Sequence, residues 1–489
     1  MSNIEKLTLY IEENLRATVN SGMDFVDPKN FKKKLLSKQN HVVFGRRGAG
    51  KSSLVSSIND QKKYAFIYIN LEDYKDISFP NIILYVLKTL IEQLIKVSRE
   101  ERPLYKCNFK ASIFRRHLNQ VLKDINLEIQ KPDFQETDLK ERNLSENGGA
   151  GEISGKHASA SLTGKKLREK ETSTSVSYYK IENLKLTINK YQKVCNDYSK
   201  ANDGQFIFLI LDDFYFLKRN TQAYFVDFFH RISKGTSLYL KVATIKHRST
   251  LYVQEDDSYI GTELGHDIYD IDLDYTLDKF DDLQVFMKFL LEHSIEKSGA
   301  LGLKINEIFA GDSFKQLCLA SGGVPRDFLS LFVKLIQSKP EGEKINKIQV
   351  TDEAISSIRK KMEGIGKDSE EDANLLEKYL QEIKTFVYHD NRTNVFLVSK
   401  EDLENIREFR QALKELVDLR LIHIIHINTS CAPSDGKRYE AYMIDVGLYD
   451  NSRPMNFTYV EPGAADDKGR KDRMRASPKL KLDRFLKLS

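Results

Sequence analysis

Eight consecutive residues, Gly45, Arg46, Arg47, Gly48, Ala49, Gly50, Lys51 and Ser52, fill the pattern G-x-x-x-x-G-K-[ST] without a gap. The chemistry this suggests is phosphate binding. Glycines let the backbone curl until successive N–H groups converge on an anion. Lys51 is expected to reach the β- and γ-phosphates of a nucleotide, and Ser52, followed by Ser53, to sit where a hydroxyl can hold Mg²⁺. A second pair, Asp212-Asp213, follows the apolar run Phe206–Leu211. Carboxylates there complete such a site. Asp212 is expected to hold Mg²⁺ through water, and Asp213 to orient or polarise the attacking water.

These residues need particular elements to position them. His41-Val42-Val43-Phe44 reads as a short buried strand before the loop, and Ser52–Ile58 as the helix after it, whose N-terminal dipole favours an anion. Tyr64–Leu71 is β-branched and aromatic and reads as a second strand. Gln205–Leu211 and Leu238–Ile245 are continuous apolar runs, the pattern of strands covered on both faces. The segment beginning at Pro80 reads as an amphipathic helix. Strands alternating with helices predict an α/β fold, a parallel sheet with helices on both faces.

The 489 residues exceed one hydrophobic core, so several domains are expected. Hydrophobic content of 40% with 30% charged residues fits a globular chain, and a net charge of +5 makes it no polycation. Nucleic-acid affinity would therefore need a local patch. Cys107, Cys195, Cys318 and Cys431 are far apart and form no C-x-x-C pair, which suggests neither zinc nor a disulfide framework. They fit reduced thiols. With no signal-like N-terminus and no long apolar run, a cytoplasmic location and no membrane partner are expected.

Four segments are expected. Residues 1–275 form the nucleotide-binding domain, with an insertion at about 131–180, rich in Gly, Ser, Lys and Glu, that is either flexible or a β-hairpin. Residues 276–360 form a small all-helical lid. In residues 361–455, helices at Leu375–Tyr388 and Arg407–Leu421 precede strands at Ile422–Ile427 and Arg438–Ile444, the order of a winged helix. Residues 456–489 read as a basic, disordered tail.

The order of P-loop, apolar strand with Asp-Asp, Val242-Ala243-Thr244-Ile245, Ser321-Gly322-Gly323-Val324-Pro325-Arg326 and winged helix resembles the AAA+ ATPases of the origin-recognition and cell-division-control type. It also resembles the related STAND signalling ATPases. That resemblance implies ATP and Mg²⁺ as cofactors and ATP hydrolysis as the activity. It makes Thr244 the polar sensor, Arg326 the lid arginine that feels the γ-phosphate, and Pro325 the lid proline. Arg231 becomes a candidate arginine finger reaching a neighbouring subunit, or else a solvated helix-end residue. Lys246, His247 and Arg248 follow Thr244, and any one could serve as sensor in its place. Phe25 and Val26 fall where the family grips adenine. Asp213 replaces the glutamate most AAA+ motors carry; one methylene shorter, it implies slow, switch-like hydrolysis.

The second helix and wing carry Arg407, Arg410, Lys414, Arg420, Lys437 and Arg438, interspersed with Glu401, Asp402, Glu404, Glu408 and Glu415. Such cations suit phosphate contacts on double-stranded DNA. Winged helices also dock protein. The leading expectation is an ATP-dependent AAA+ switch engaging DNA. The alternatives are a STAND-like signalling ATPase, in host defence, whose winged helix docks a protein partner or a second copy, and a nucleotide-locked scaffold without turnover.

Overall fold

The computed structural model describes residues 2–15, 23–60, 62–100, 109–131, 180–255, 258–340, 342–363, 373–450, 454–465 and 469–485. The insertion expected at about 131–180 lies outside the described residues, as does Cys107. The other three cysteines are buried and free. By contact the chain divides into two units. One comprises residues 33–43 and 58–271; the other comprises residues 1–32, 44–57 and 272–489.

The first unit holds the central sheet. Strands β1 (His41–Phe44), β2 (Ala65–Asn70), β3 (Ile207–Asp212), β4 (Leu238–Thr244) and β7 (Tyr269–Asp272) are ordered β2-β3-β4-β1-β7. β2, β3 and β4 run parallel, with Leu209 opposite Ile67 on one side and Leu240 on the other. Every residue of β3 is buried, which is why Ile207–Leu211 is continuously apolar and not alternating before the buried Asp212 ends the strand. Helices Asn81–Glu100, Phe109–Gln130, Ile188–Ala201 and Arg219–Ser233 belong to the same unit, giving the expected α/β fold. β7 escaped the sequence reading because four residues, Tyr-Asp-Ile-Asp, with one buried side chain give no apolar signal. A short hairpin, β5 (Tyr252–Glu255) with β6 (Ser258–Gly261), was also unforeseen.

Lys241 anchors the start of β1. Its side chain is fully buried, and its ammonium donates to the carbonyls of Ser37 (2.9 Å) and Gln39 (2.7 Å) and lies 3.0 Å from His41 Nδ1. Burial pushes Lys241 well below its usual pKa. Burial, and then the charge of Lys241, hold His41 down to about 3. The turn that delivers β1 is thereby fixed by β4.

The second unit is mainly helical. Helices Phe280–Lys297, Ser313–Ala320, Pro325–Ser338 and Lys347–Glu363 share one apolar core with the C-terminal segments. Pro325 takes the first helical position, where its missing N–H costs nothing. The helix expected to continue through Tyr388 ends at Lys384 and passes into a π-helical segment, Thr385–Asp390. Beyond it come β8 (Val395–Ser399), helices Lys400–Asn405 and Arg407–Asp418, β9 (Ile422–Thr429) and β10 (Tyr439–Ile444). The three strands form an antiparallel sheet ordered β8-β10-β9.

The C-terminal segment departs from the disordered tail its composition suggests. Met474, Leu480 and Phe485 are buried in the unit's core. Leu397 of β8 donates to the Pro478 carbonyl at 2.9 Å and accepts from the Leu480 N–H at 2.8 Å. Its cations find partners: Lys471 with Asp278 (2.9 Å) and Lys479 with Asp435 (2.8 Å). Apolar residues spaced among many charges hid this packing from a reading by composition.

Candidate nucleotide site

The phosphate-loop motif lies in the helical unit, and its shape comes from that unit. Gly48 (φ +88°) and Gly50 (φ +97°) take the left-handed backbone that only glycine adopts freely. Space also demands glycine at the first of them. A Cβ on Gly48 would lie 2.9 Å from the Arg326 Cβ and 3.0 Å from Val324 Cγ1. Arg326 donates its backbone N–H to the Gly48 carbonyl at 3.3 Å. Val324 and Arg326 thus stand against the loop, on either side of Pro325. Phe25 also reaches it, its ring 3.6 Å from where a Gly50 Cβ would be.

Lys51 opens the helix Lys51–Ser57 and is nearly buried. Its ammonium donates to the Gly45 carbonyl at 2.9 Å and lies 3.4 Å from the Arg46 carbonyl. Ala49 donates to the Arg46 carbonyl at 3.0 Å, closing the turn. Ser52 and Ser53 follow Lys51 in the first turn of that helix.

Arg46 does something the motif alone does not reveal. Its side chain is only 9% exposed, and Nε pairs with Asp274 Oδ1 at 3.3 Å. Nη2 donates to the carbonyls of Tyr275 (3.1 Å) and Gly322 (3.0 Å). The Arg46 backbone N–H also goes to Asp274 Oδ1, at 2.9 Å. Arg46 was expected to contact phosphate. Its N–H and guanidinium are instead committed to the unit, and it acts as a brace. Gly322 in turn has φ +56°, and a Cβ there would lie 2.2 Å from the His423 ring.

Arg47 is held from the C-terminal segments. Arg420, just before β9, donates Nη1 to the Arg47 carbonyl at 2.9 Å. Its Nε pairs with Asp327 at 3.1 Å, and Lys361 pairs with the same carboxylate at 2.9 Å. Burial would raise the Asp327 pKa, but Arg420 and Lys361 outweigh it and hold the group below its ordinary range. Asp274 and Asp327 carry no signal in the sequence, and Arg420, expected to face DNA, turns to the loop instead. Arg46 and Asp274 are 228 positions apart, and Arg47 and Arg420 are 373 apart. No spacing rule links them.

The acidic pair lies in the sheet-bearing unit. Asp212 ends β3, almost fully buried, opposite Asn70 of β2. Tyr68 donates its hydroxyl to Asp212 Oδ2 at 2.7 Å, and the Asp213 N–H donates to Asp212 Oδ1 at 2.9 Å. Burial, then the Asp212 charge, push the Tyr68 pKa far up. This keeps the phenol a donor. Asp213 sits at φ 53°, ψ 39°, the left-handed region that aspartate tolerates better than most residues.

Thr244 is buried at the end of β4, next to β3, and its hydroxyl is 2.5 Å from Ser249 Oγ. Lys246, His247 and Arg248 form a 3₁₀ turn after it. Arg231 lies in the last turn of Arg219–Ser233, half-exposed and paired with Asp227 at 2.8 Å. The structure therefore gathers Gly45–Ser53 with Pro325 and Arg326 in one unit, and Asp212 and Asp213 with Thr244 and Arg231 in the other.

Carboxylate and hydroxyl oxygens match Mg²⁺, which keeps much of its water and takes few protein ligands. Among the described residues no cluster of three or more His, Cys, Asp or Glu could hold a metal alone. The two glycines at positive φ are the backbone a phosphate cradle requires.

Among solved structures, a Walker-type ATPase of Pyrococcus abyssi is similar to this chain at 11% identity and a TM-score of 0.37, over 86% of this chain and 95% of that chain. An overlap that low carries no weight for this chain's activity. No family model matches the chain, and no curated protein matches it. No helix among the described residues is long and apolar enough to cross a membrane.

Replacing Asp274 with alanine removes the acceptor for two Arg46 donors and leaves a nearly buried guanidinium short of its carboxylate. Asp274→Ala is expected to lower unfolding free energy by about 1.5–3 kcal/mol, the worth of a hydrogen bond to a charged group. Urea denaturation of the full chain measures it; a decrease below about 0.5 kcal/mol would mean Arg46 is held by the carbonyls alone.

Proposed function

We propose that this protein binds ATP with Mg²⁺ and hydrolyses it slowly, as an AAA+-type nucleotide switch. One observation carries the reading: the complete G-x-x-x-x-G-K-[ST] motif has left-handed glycines at Gly48 and Gly50 and a nearly buried Lys51 directly after them. In this reading the N–H groups of Gly48–Ser53 receive the phosphates. Lys51 exchanges the Gly45 carbonyl for the β- and γ-phosphates, and Ser52 takes Mg²⁺. Bound Mg²⁺ would neutralise developing phosphate charge. Asp212, oriented by Tyr68, holds a water of the metal, and Asp213 orients the attacking water. Thr244, Arg326 and Arg231 keep their roles as sensor, lid arginine and finger. Arg231 would have to leave Asp227 to act on another subunit. Phe25, against Gly50, supports an adenine contact beside the loop.

We also propose that the segment 361–455 is a winged helix and engages double-stranded DNA through Arg407, Arg410 and Lys414 on the helix Arg407–Asp418. A protein-docking role, with the STAND-like signalling it implies, is the second reading. It is favoured by where the other cations go. Arg420 turns inward to Asp327 and the Arg47 carbonyl, and Lys437 pairs with Glu401 at 2.8 Å.

Two experiments test these proposals. Lys51→Ala should abolish ATP binding, whereas Asp213→Asn should bind ATP normally and turn it over about 10²–10⁴-fold more slowly. Fluorescent-nucleotide titration and phosphate release measure both. Normal turnover in either variant would refute the assignment. Reversing Arg410 and Lys414 to Glu should weaken DNA binding and reduce the slope of log K against log salt by about 0.9 for each DNA phosphate no longer neutralised. DNA affinity unchanged by the reversal would move the segment to protein docking.

A further inference from the structure

Where the helices Pro325–Ser338 and Lys347–Glu363 meet, polar side chains stand among the apolar Leu331, Ala354 and Ile358. Asp327, Ser330 and Lys334 recur at i, i+3 and i+7 on the first helix; Ser357 and Lys361 stand at i and i+4 on the second. Such spacings place each set on one side of its helix. Facing helical stripes ordinarily interdigitate apolar side chains and leave few voids. Here they border a cavity of about 240 Å³, with Lys360 also on its wall.

The wall is rich in donors. Lys334, Lys360 and Lys361 bring three ammonium groups, each with three N–H donors and no acceptor. Two carboxylates, Asp327 and Asp445, also line the cavity, and both are already engaged. Asp327 pairs with Lys361 and Arg420, and Asp445 lies 2.6 Å from the buried His423 Nε2. Lys334 donates to Ser357 Oγ at 2.9 Å and lies 3.5 Å from Glu353. Ser330 adds a further hydroxyl.

We infer that this cavity is a binding site for a small phosphate monoester, formed by Lys334, Lys360 and Lys361 with the hydroxyls of Ser330 and Ser357. A phosphate monoester carries a charge of about −1.5 to −2 at neutral pH and three acceptor oxygens. The three lysines of the wall outnumber its two carboxylates by one, which favours an anion. The volume limits the remainder of the ligand to a compact group, since cavities for drug-sized ligands begin at about 300 Å³. The site does not use the phosphate loop and does not depend on its assignment. The two are nevertheless joined by a chain of three interactions: Lys361 to Asp327, Asp327 to Arg420, and Arg420 to the Arg47 carbonyl. A phosphate that draws Lys361 from Asp327 changes the hold on the loop.

The test is calorimetric titration of the full chain with inorganic phosphate, in wild type and in Lys51→Ala protein, each with and without Lys334→Gln plus Lys360→Gln. Thermal unfolding checks that the substitutions leave the fold intact. Saturable binding should persist in Lys51→Ala and weaken at least about tenfold when the two lysines are neutralised, as expected for removal of charge-assisted hydrogen bonds. If Lys51→Ala does not fold, the wild-type pair gives the same comparison through the disappearance of one phosphate site. Affinity unchanged by the lysine substitutions, or no saturable binding up to about 10 mM phosphate, overturns the proposal.

Discussion

The phosphate loop depends on a guanidinium withdrawn from water. Removing a charge from solvent costs several kcal/mol unless partners restore the missing hydration. Arg46 recovers that cost from Asp274 and from the carbonyls of Tyr275 and Gly322, and its own N–H closes onto the same carboxylate. One residue of the loop is therefore bonded to the segment after β7 and to the glycine pair before Pro325. The neighbours follow from that placement. Gly48 must lack a Cβ because Val324 and Arg326 stand against it, and Gly322 must lack one because the His423 ring does. Arg420 then reaches the carbonyl of the next loop residue. Any change in the helical or C-terminal segments has a short covalent and hydrogen-bonded route to the backbone that would touch phosphate.

The acidic pair rests on a different constraint. Asp212 is buried at a strand end, and a buried carboxylate needs donors. It has two, the Tyr68 phenol and the Asp213 N–H. Asp213, which donates to it, lies in the left-handed region, at a cost of about 1–2 kcal/mol for most L-residues and less for aspartate. Strain of this kind gathers where a side chain must be aimed. A glutamate at this position would tolerate that backbone less well, which gives the aspartate a local reason beside the slower turnover that its shorter side chain suggests.

Much of the sheet was legible, for a plain reason. Strands buried on both faces are apolar at most positions, so β3 and β4 stand out as runs, and the motif fixes β1 and the helix after it. What could not be read were the partners of the loop. Asp274, Asp327 and Arg420 are ordinary charged residues in sequence, and only the fold brings them to Arg46, Arg47 and Lys361. Charge composition misled in the same way near the C-terminus. Lys471 and Lys479 look like a solvated basic tail until Asp278 and Asp435 are found beside them, with Met474, Leu480 and Phe485 packed beneath. Arg420, counted among the cations facing DNA, is spent inside the molecule.

In the proposed function, a loop braced by Arg46 receives the triphosphate of ATP. A crystal structure of the full chain with Mg²⁺ and a non-hydrolysable ATP analogue tests it directly. Phosphates are expected against the N–H groups of Gly48–Ser53, with the Lys51 ammonium moved from the Gly45 carbonyl to phosphate oxygen and the Arg46–Asp274 pair intact. A nucleotide bound elsewhere, or one that enters the loop only with Arg46 released from Asp274, would contradict it.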